Sequence, residues 1–581
     1  MSIPDPTART PSSVNYVSTA ISSLTKRTGN HGESSEKVSA IDNREESIEE
    51  GSKPVYDHTH RKLKPRHVQL IGIGGTIGTA LYVQIGQTLA EGGPGSLFIA
   101  YTLWVLNLLG LAEMVTYLPI SSPFIRFAGR YVDDAFGVAA GYNFFVFEAA
   151  MVPMEVTACS SITGPTRSLW QQYSLSYLFF LRASSAAKPA FFVLTSLRFL
   201  NVFAVKWYGE SEFWLASSKV LLSVGLILFT FITMLGGNPL NDRFGFRYWN
   251  EPGSFAEHYK EGNLGRWLGF LACLINASFT IAGPDYISMA AGESVDPRRN
   301  LPRAYNGMFY RLTAFFVLGA LCVGILVPYN DKTMADAFDN EEPGAAASPY
   351  VIAMDRLGIP VLPHIVNAMI LLAVFSAGNS YVYCGSRTLY GLALDGKAPR
   401  VFTRCTKSGV PIYCVATVLL IGLISFLQVS NSASVVLNWI ISLVTASQLI
   451  NFSVITFTYT RFRKALIAQG ISRDTLPYKS LGQPYVAYIA LVSTIIMAFV
   501  GGYEVFLPGN WDVPTFLFSY TMIGVFPVIY VGWKIIHRTS VRKPEEVDLF
   551  TGVDEIEEYT RNYRPEQASN PVSRFGDWLF G

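Results

Sequence analysis

Two short stretches concentrate the residues able to do chemistry. Ile71-Gly72-Ile73-Gly74-Gly75-Thr76-Ile77-Gly78-Thr79 carries four glycines in seven residues. Each weakens a helix interior by roughly 1 kcal/mol relative to alanine. Ser278-Phe279-Thr280-Ile281-Ala282-Gly283-Pro284-Asp285 lies about 205 residues later. There Gly-Pro removes a helix donor and an acid follows at once. Both stretches sit inside long apolar segments, where an unpaired backbone must face protein or a water-filled cavity. At an unwound helix, exposed amides and the positive dipole end favour a carboxylate. Freed carbonyls accept hydrogen bonds from an ammonium group. The pattern fits a zwitterion with both groups on one carbon, as in an α-amino acid. The plainer reading is close helix packing of the small-xxx-small kind through Gly74 and Gly78. Interrupted segments at matching places in two halves favour inverted repeats with a site between them.

Four ionisable residues fall within apolar segments: Glu148, Glu155, Lys219 and Asp285. A charge at a helix centre costs about 2.5–3.5 kcal/mol to insert, so each is a functional candidate. Glu148 precedes Glu155 by seven residues and is read as its partner on one helix face. Glu113 and Glu293 lie at segment ends and read as gate or loop salt bridges, with Arg298 or Arg299 as cations. His67, at the segment edge, reads as solvated. The sequons at Asn276 and Asn451 lie inside spans. Gly72-x-Gly74 has no βαβ unit around it and is no dinucleotide fingerprint. No nucleophile–base set, metal cluster or cofactor motif stands out. The chain therefore does not read as an enzyme and no cofactor is expected.

These residues must be positioned by membrane-spanning helices. The chain has 581 residues, 50% hydrophobic and 15% charged. Residues 1–67 and 537–581 hold 34 of its 88 formal charges. The remainder has less than half the charge density of a soluble protein, about 25%. A net charge of +2 argues against a nucleic-acid partner. Six cysteines without paired spacing argue against a disulfide framework. Twelve candidate spans lie near 68–90, 95–118, 135–162, 190–206, 213–236, 265–288, 309–328, 361–384, 412–429, 433–459, 484–502 and 514–536. Cations cluster in alternate loops, at Arg61–Arg66, Arg298–Arg303, Lys397–Lys407, Arg461–Lys479 and Lys534–Lys543. The positive-inside rule then puts both termini in the cytoplasm. Residues 1–60 have too little apolar matter to fold and read as a disordered tail. Phosphorylation, or modification of Lys26, Lys37 or Lys53, would give that tail a regulatory role. Residues 541–581 read as a second cytoplasmic tail, whose Phe575, Trp578, Leu579 and Phe580 are a docking patch. Both tails offer surfaces to regulatory partners.

Several long stretches resemble the fungal amino acid permeases of the amino acid–polyamine–organocation superfamily. They are LKPRHVQLIGIGGTIGTALYVQIG (63–86), AEMVTYLP (112–119), FIRFAGRYVDDAFGVAAGYN (124–143), NVFAVKWYGESEFWLASSKVLL (201–222), SFTIAGPDYISMAAGESVDPRRNLPRA (278–304) and SAGNSYVYCGSRTLYGLALDGKAP (376–399). The resemblance covers about 60–545 and makes 61–540 the permease domain. It implies an all-α integral membrane fold of about twelve transmembrane helices. Five plus five form an inverted repeat, with helices 1 and 6 broken, and two more follow. It also implies proton-coupled uptake of amino acids across the plasma membrane, so that substrate, protons and the bilayer are the partners. By position, Thr76, Ile77 and Gly78 would meet the substrate carboxylate. Phe279, Thr280 and Ile281 would meet its ammonium, with Phe279 as an aromatic gate. Lys219 and Glu155 match family positions linked to proton coupling, and Asp285 stands where relatives often carry glutamate. Asn379, Ser380 and Ser447 are polar candidates for the pocket wall.

Residues 163–200 depart from the family, with Arg167, Arg182, Lys188 and Arg198 where a clean fourth span belongs. Two readings stand. One is a divergent fourth span near 190–206 with Arg198 snorkelling; the other is a gene-model fault between sound flanks. Two further functions stay open beside transport of amino acids. One is a permease-like nutrient sensor, and the other a transporter of a polyamine or quaternary amine.

Overall fold

The computed structural model describes residues 61, 63–106, 111–163, 192–197, 201, 205–281, 284–339, 348–429, 433–480 and 482–564. Among them there is no β-strand, only one parallel bridge between Leu63 and Ser294. The first candidate span is split. Helix α1 (Pro65–Gly74) stops within the glycine run, and a π-helical turn (Ala80–Gln84) leads into α2 (Ile85–Leu106). Gly93 (φ 79°) turns α2 in its middle, where Pro94 follows, so its two arms correspond to the ends of two predicted spans. Short helices α3 (Leu111–Tyr117) and α4 (Pro123–Tyr131) lead to the long α5 (Asp134–Thr163). After the fourth candidate span comes α6 (Val205–Met234).

The second break is as legible. Helix α7 (Gly262–Thr280) ends at Ile281, whose backbone is extended (φ −94°, ψ 93°), and α8 (Pro284–Met289) restarts the helix. Then follow α9 (Pro297–Leu312), α10 (Leu318–Leu326), α11 (Leu362–Leu394), α12 (Ile412–Gly422), α13 (Ala433–Ala468), α14 (Tyr485–Val500) and α15 (Val513–His537). Helices therefore occupy the candidate spans, and in the fourth the described residues 192–197, 201 and 205–206 are helical as well. Among the described residues seven helical stretches are long and apolar enough to cross a membrane.

The outer faces confirm the solvent. Leu228, Ile489, Phe499 and Val528 stand exposed on their helices, and such apolar exteriors suit lipid tails. The interior is built around α5, which packs against α11, α13 and α15. α6 lies along α1 and α11. α7 packs mainly against α2 and α13, and the residues at both breaks, Thr76 and Ile77 and Phe279 to Ile281, are buried.

The polar segment after α15 does not all extend into solvent. Leu549, Val553 and Ile556 are buried, the last two on helix α16 (Val553–Asn562). Arg130 at the end of α4 donates to the carbonyls of Asp548 (2.7 Å) and Thr551 (2.8 Å) and pairs with the Asp548 carboxylate at 2.8 Å. Burial alone would raise the Asp548 carboxyl. Hydrogen bonds from Thr551 and Arg130 outweigh it and hold the group below the ordinary carboxylate range. The proposed tail modification sites and the Phe575–Phe580 patch lie outside the described residues.

Candidate functional site

A small cavity lies where the two helix breaks meet. The first break contributes Gly75, Thr76, Gly78 and Ala80, and the second Phe279, Thr280 and Tyr286. Helix α5 supplies Phe147, Met151, Met154 and Glu155, and α11 supplies Tyr381. Four of the six residues assigned to the substrate, Thr76, Gly78, Phe279 and Thr280, thus share one cavity with Glu155. Ile77 and Ile281 are buried in the same segments, and neither lines this cavity. Its walls are aromatic and thioether groups with one carboxylate, and it is narrow, with room for about one water. A larger guest enters only if the surrounding helices move apart.

The unwound stretch after Gly74 is gripped from three helices. Lys219, fully buried on α6, donates from Nζ to the Gly74 carbonyl. That carbonyl is among the last of α1, which have no partner within the helix, so the lysine caps it. Thr79 Oγ1 donates to Glu155 Oε2 of α5 at 2.6 Å. Tyr381 Oη of α11 donates to the Gly75 carbonyl at 3.0 Å. The glycines permit this closeness. A Cβ on Gly78 would stand 2.7 Å from Glu155 Oε1 and 3.1 Å from Ala377 Cβ, and one on Gly74 would overlap the Glu212 carboxylate. Gly74 and Gly78 therefore face side chains of different helices around a break, and not one continuous helix surface.

Glu212 was not singled out in the sequence. It is fully buried, one heptad before Lys219 on α6. Ser376 Oγ donates to it at 2.8 Å and Asn379 Nδ2 at 3.2 Å. Asn379 in turn accepts from Asn201 Nδ2 at 2.8 Å. The Lys219 ammonium faces Glu212 and Glu155 together, in electrostatic range of both. The i, i+7 spacing of Glu212 and Lys219 was the available signal, hidden because 201–222 reads as a loop followed by a span. Asn379 is committed to this network, and Ser380 and Ser447 are buried away from the cavity.

The other acids differ from the sequence reading in their partners. Glu148 does not face Glu155. Two helical turns, about 10 Å, lie between them, and Glu148 faces Asp285 and Tyr286 of α8. Asp285 Oδ2 accepts from Gln448 Nε2 at 3.3 Å. Glu293 is held by Arg387 (2.9 Å) and Tyr383 (2.8 Å), not by Arg298 or Arg299. The two arginines lie on α9, whereas Arg387 projects from α11 directly onto the α8 end. Glu113 accepts from Arg473, from Tyr459 Oη (2.8 Å) and from the Ser480 amide (2.7 Å). His67 is 1% exposed and sits 3.3 Å from Glu210, so it is packed, not solvated. Among the described residues no group of His, Cys, Asp and Glu could hold a metal, and all six cysteines are free.

A bundle of apolar helices, two of them interrupted around a buried cavity, is the architecture of a multi-pass membrane protein. Sequence comparison gives its family. The amino acid permease family matches residues 67–545. The chain is 46% identical over 537 residues to the general amino acid permease AGP2 of Saccharomyces cerevisiae, covering 90% of this chain and 88% of that one. It is 40% identical to a proline-specific permease of Emericella nidulans, covering 91% and 95%. It is 37% identical to a lysine-specific permease of Saccharomyces cerevisiae, covering 86% and 80%. The chain belongs to the amino acid permease family, whose members are transporters and not enzymes.

Proposed function

We propose that the chain is a proton-coupled symporter of amino acids in the plasma membrane. Twelve spans, both termini cytoplasmic, and a five-plus-five inverted repeat with two added helices make up this reading, with 61–540 as the transport domain. The observation that carries it is the cavity between the two breaks, which joins Thr76 and Gly78 to Phe279 and Thr280. Backbone amides at Thr76, Ile77 and Gly78 receive the substrate carboxylate. Carbonyls at Phe279, Thr280 and Ile281 receive the ammonium, and the Phe279 ring covers it. Lys219, Glu155 and Asp285 carry the coupling, because each is a buried ionisable group next to a break. The named relatives take different amino acids, so the side chain of the substrate is left to experiment.

Glu155 on the cavity wall favours a second reading, since a carboxylate there also suits the cation of a polyamine or quaternary amine. Radiolabelled uptake of amino acids and polyamines, in cells lacking their own permeases, separates the two. Accumulation of one or more amino acids, abolished by a protonophore, is expected. Uptake of amines alone, or accumulation indifferent to the protonophore, overturns the first reading.

A further inference from the structure

Glu148 is the polar group that the proposed transport cycle leaves without a task. Its side chain is fully buried in the middle of α5. Among the described residues no ion pair includes it, and the Tyr286 hydroxyl is the hydrogen-bonding group that faces its carboxylate, outside full hydrogen-bond geometry. A buried carboxylate left in that state is costly, and it is relieved by neutralisation or by a bound cation. Its surroundings offer no compensating charge. From α8 it faces Asp285 and Tyr286. From α11 it faces Tyr381 and Cys384, and Gly385 brings that backbone close. From α13, Gln448 reaches the same place through Asp285, and Tyr305 of α9 faces Asp285 from the other side. No lysine, arginine or histidine among the described residues faces Glu148.

Two carboxylates facing each other in a low-dielectric interior cannot both ionise, and such a pair shares a proton. We infer that Glu148 and Asp285 form a proton-binding site separate from the Lys219–Glu155–Glu212 cluster, one that is loaded and emptied during transport. Binding forms one O–H bond on either carboxyl and removes one negative charge from the pair; release returns both. A proton fits where a larger cation does not. Neither Glu148 nor Asp285 lines the cavity, whereas Tyr286 and Tyr381, which face Glu148, do. Yet the two sites are joined mechanically. Asp285 lies in the first turn of α8, directly after the second break, and Tyr286 lines the cavity itself. Charging the pair therefore pushes on the element that opens with substrate.

This inference rests on the proton-coupled reading, and the test separates the two. Purified wild-type protein and Glu148→Gln are reconstituted in vesicles, and substrate affinity and substrate-driven proton entry are measured across about pH 5 to 8. The slope of log affinity against pH counts the protons linked to binding. Glu148→Gln, close in shape and unable to titrate, is expected to lose about one unit of that slope and about one proton per substrate. Glu148→Asp, which keeps a carboxyl, is expected to retain both. Should the glutamine variant fail to reach the membrane, Asp285→Asn is expected to move the pH of half-maximal uptake. If Glu148→Gln keeps the wild-type slope and proton ratio, or Asp285→Asn leaves the midpoint in place, the inference is overturned and Glu148 is permanently neutral. If instead Glu148→Gln changes the choice between monoamine and diamine substrates at constant slope, the pair binds an ammonium group and the inference is again wrong. If wild-type protein moves no protons with substrate, the proton-coupled reading fails, and this site with it.

Discussion

Replacing Lys219 by methionine keeps most of its bulk and removes its charge, and the structure sets the consequence. The ammonium now caps the Gly74 carbonyl and faces both Glu212 and Glu155. Losing the cap leaves one buried carbonyl without its donor, at a cost of about 1–3 kcal/mol. Removing one partner from a buried charge set costs about 3–5 kcal/mol. At about 1.4 kcal/mol per decade, the larger figure lowers the population of the gripped state roughly 100- to 4,000-fold. The carboxylates escape part of this by holding protons permanently, and a site that never releases its proton cannot couple. Lys219→Met is therefore expected to reach the cell surface and to lose protonophore-sensitive accumulation between external pH of about 5 and 7. Adding Glu212→Gln removes the unmatched acid, so the double variant is expected to be more abundant than Lys219→Met alone and still uncoupled. A tagged chain quantified at the surface, beside uptake with and without protonophore, reads both effects. Wild-type accumulation in Lys219→Met would refute the coupling role and turn attention to Glu155.

Three other changes probe the rest of the site. Phe279→Ala removes the ring proposed to cover the ammonium, worth about 0.5–2 kcal/mol of cation–π attraction, and should raise the half-saturation concentration roughly 2- to 30-fold; an unchanged value places Phe279 outside the site. Gly78→Val drives a branched side chain into Glu155 and Ala377 and should abolish uptake at near-normal surface abundance, whereas wild-type uptake would return Gly78 to simple packing. Arg387→Met strands Glu293 in the interior, with an expected loss of about 3–5 kcal/mol, read as a lower melting temperature in detergent. Adding Glu293→Gln should recover much of that loss, and no recovery would show that Arg387 acts apart from the pair.

Much of this was legible because membranes leave few options. Glycine runs and a Gly-Pro pair disfavour a continuous helix in lipid, so the breaks could be placed within 71–79 and 278–285, where the helices end at Gly74 and Thr280. Helix positions followed from apolar length in the same way. Partners were less accessible. Glu148 and Glu155 share a helix face by spacing, yet the helices packed on that face differ along its length, and only three dimensions set Asp285 against one and Thr79 against the other. Glu293 lies near Arg298 in sequence and pairs with Arg387 across the bundle. The divergent stretch 163–200 stays apart. Residues 164–191 lie outside the described residues, whereas Leu197 is buried beside Gly378 and Asn201 binds Asn379. Contacts with α11 are thus made by residues on both sides of 198–200. An intact transcript encoding 163–200 would establish a divergent span.

The glycine run also gives the proposed coupling and the proposed binding one shared element. Continuous helix would have satisfied its own carbonyls; the interrupted one hands Gly74 to Lys219 and Gly75 to Tyr381, and ties Thr79 to Glu155. The same few residues, Thr76 to Gly78, are those proposed to meet the substrate carboxylate. A proton that loosens the grip of Lys219 or Glu155 therefore alters the shape offered to substrate. By linkage, substrate must alter proton affinity by the same free energy. Gly74 and Gly78 set how close the two charge-bearing helices approach, and a methyl group at either position would force them apart. On this view Gly74 and Gly78 are not spared ground for a ligand alone. They let α6 and α5 come near enough for one unwound segment to serve both the proposed carboxylate site and the proposed proton site.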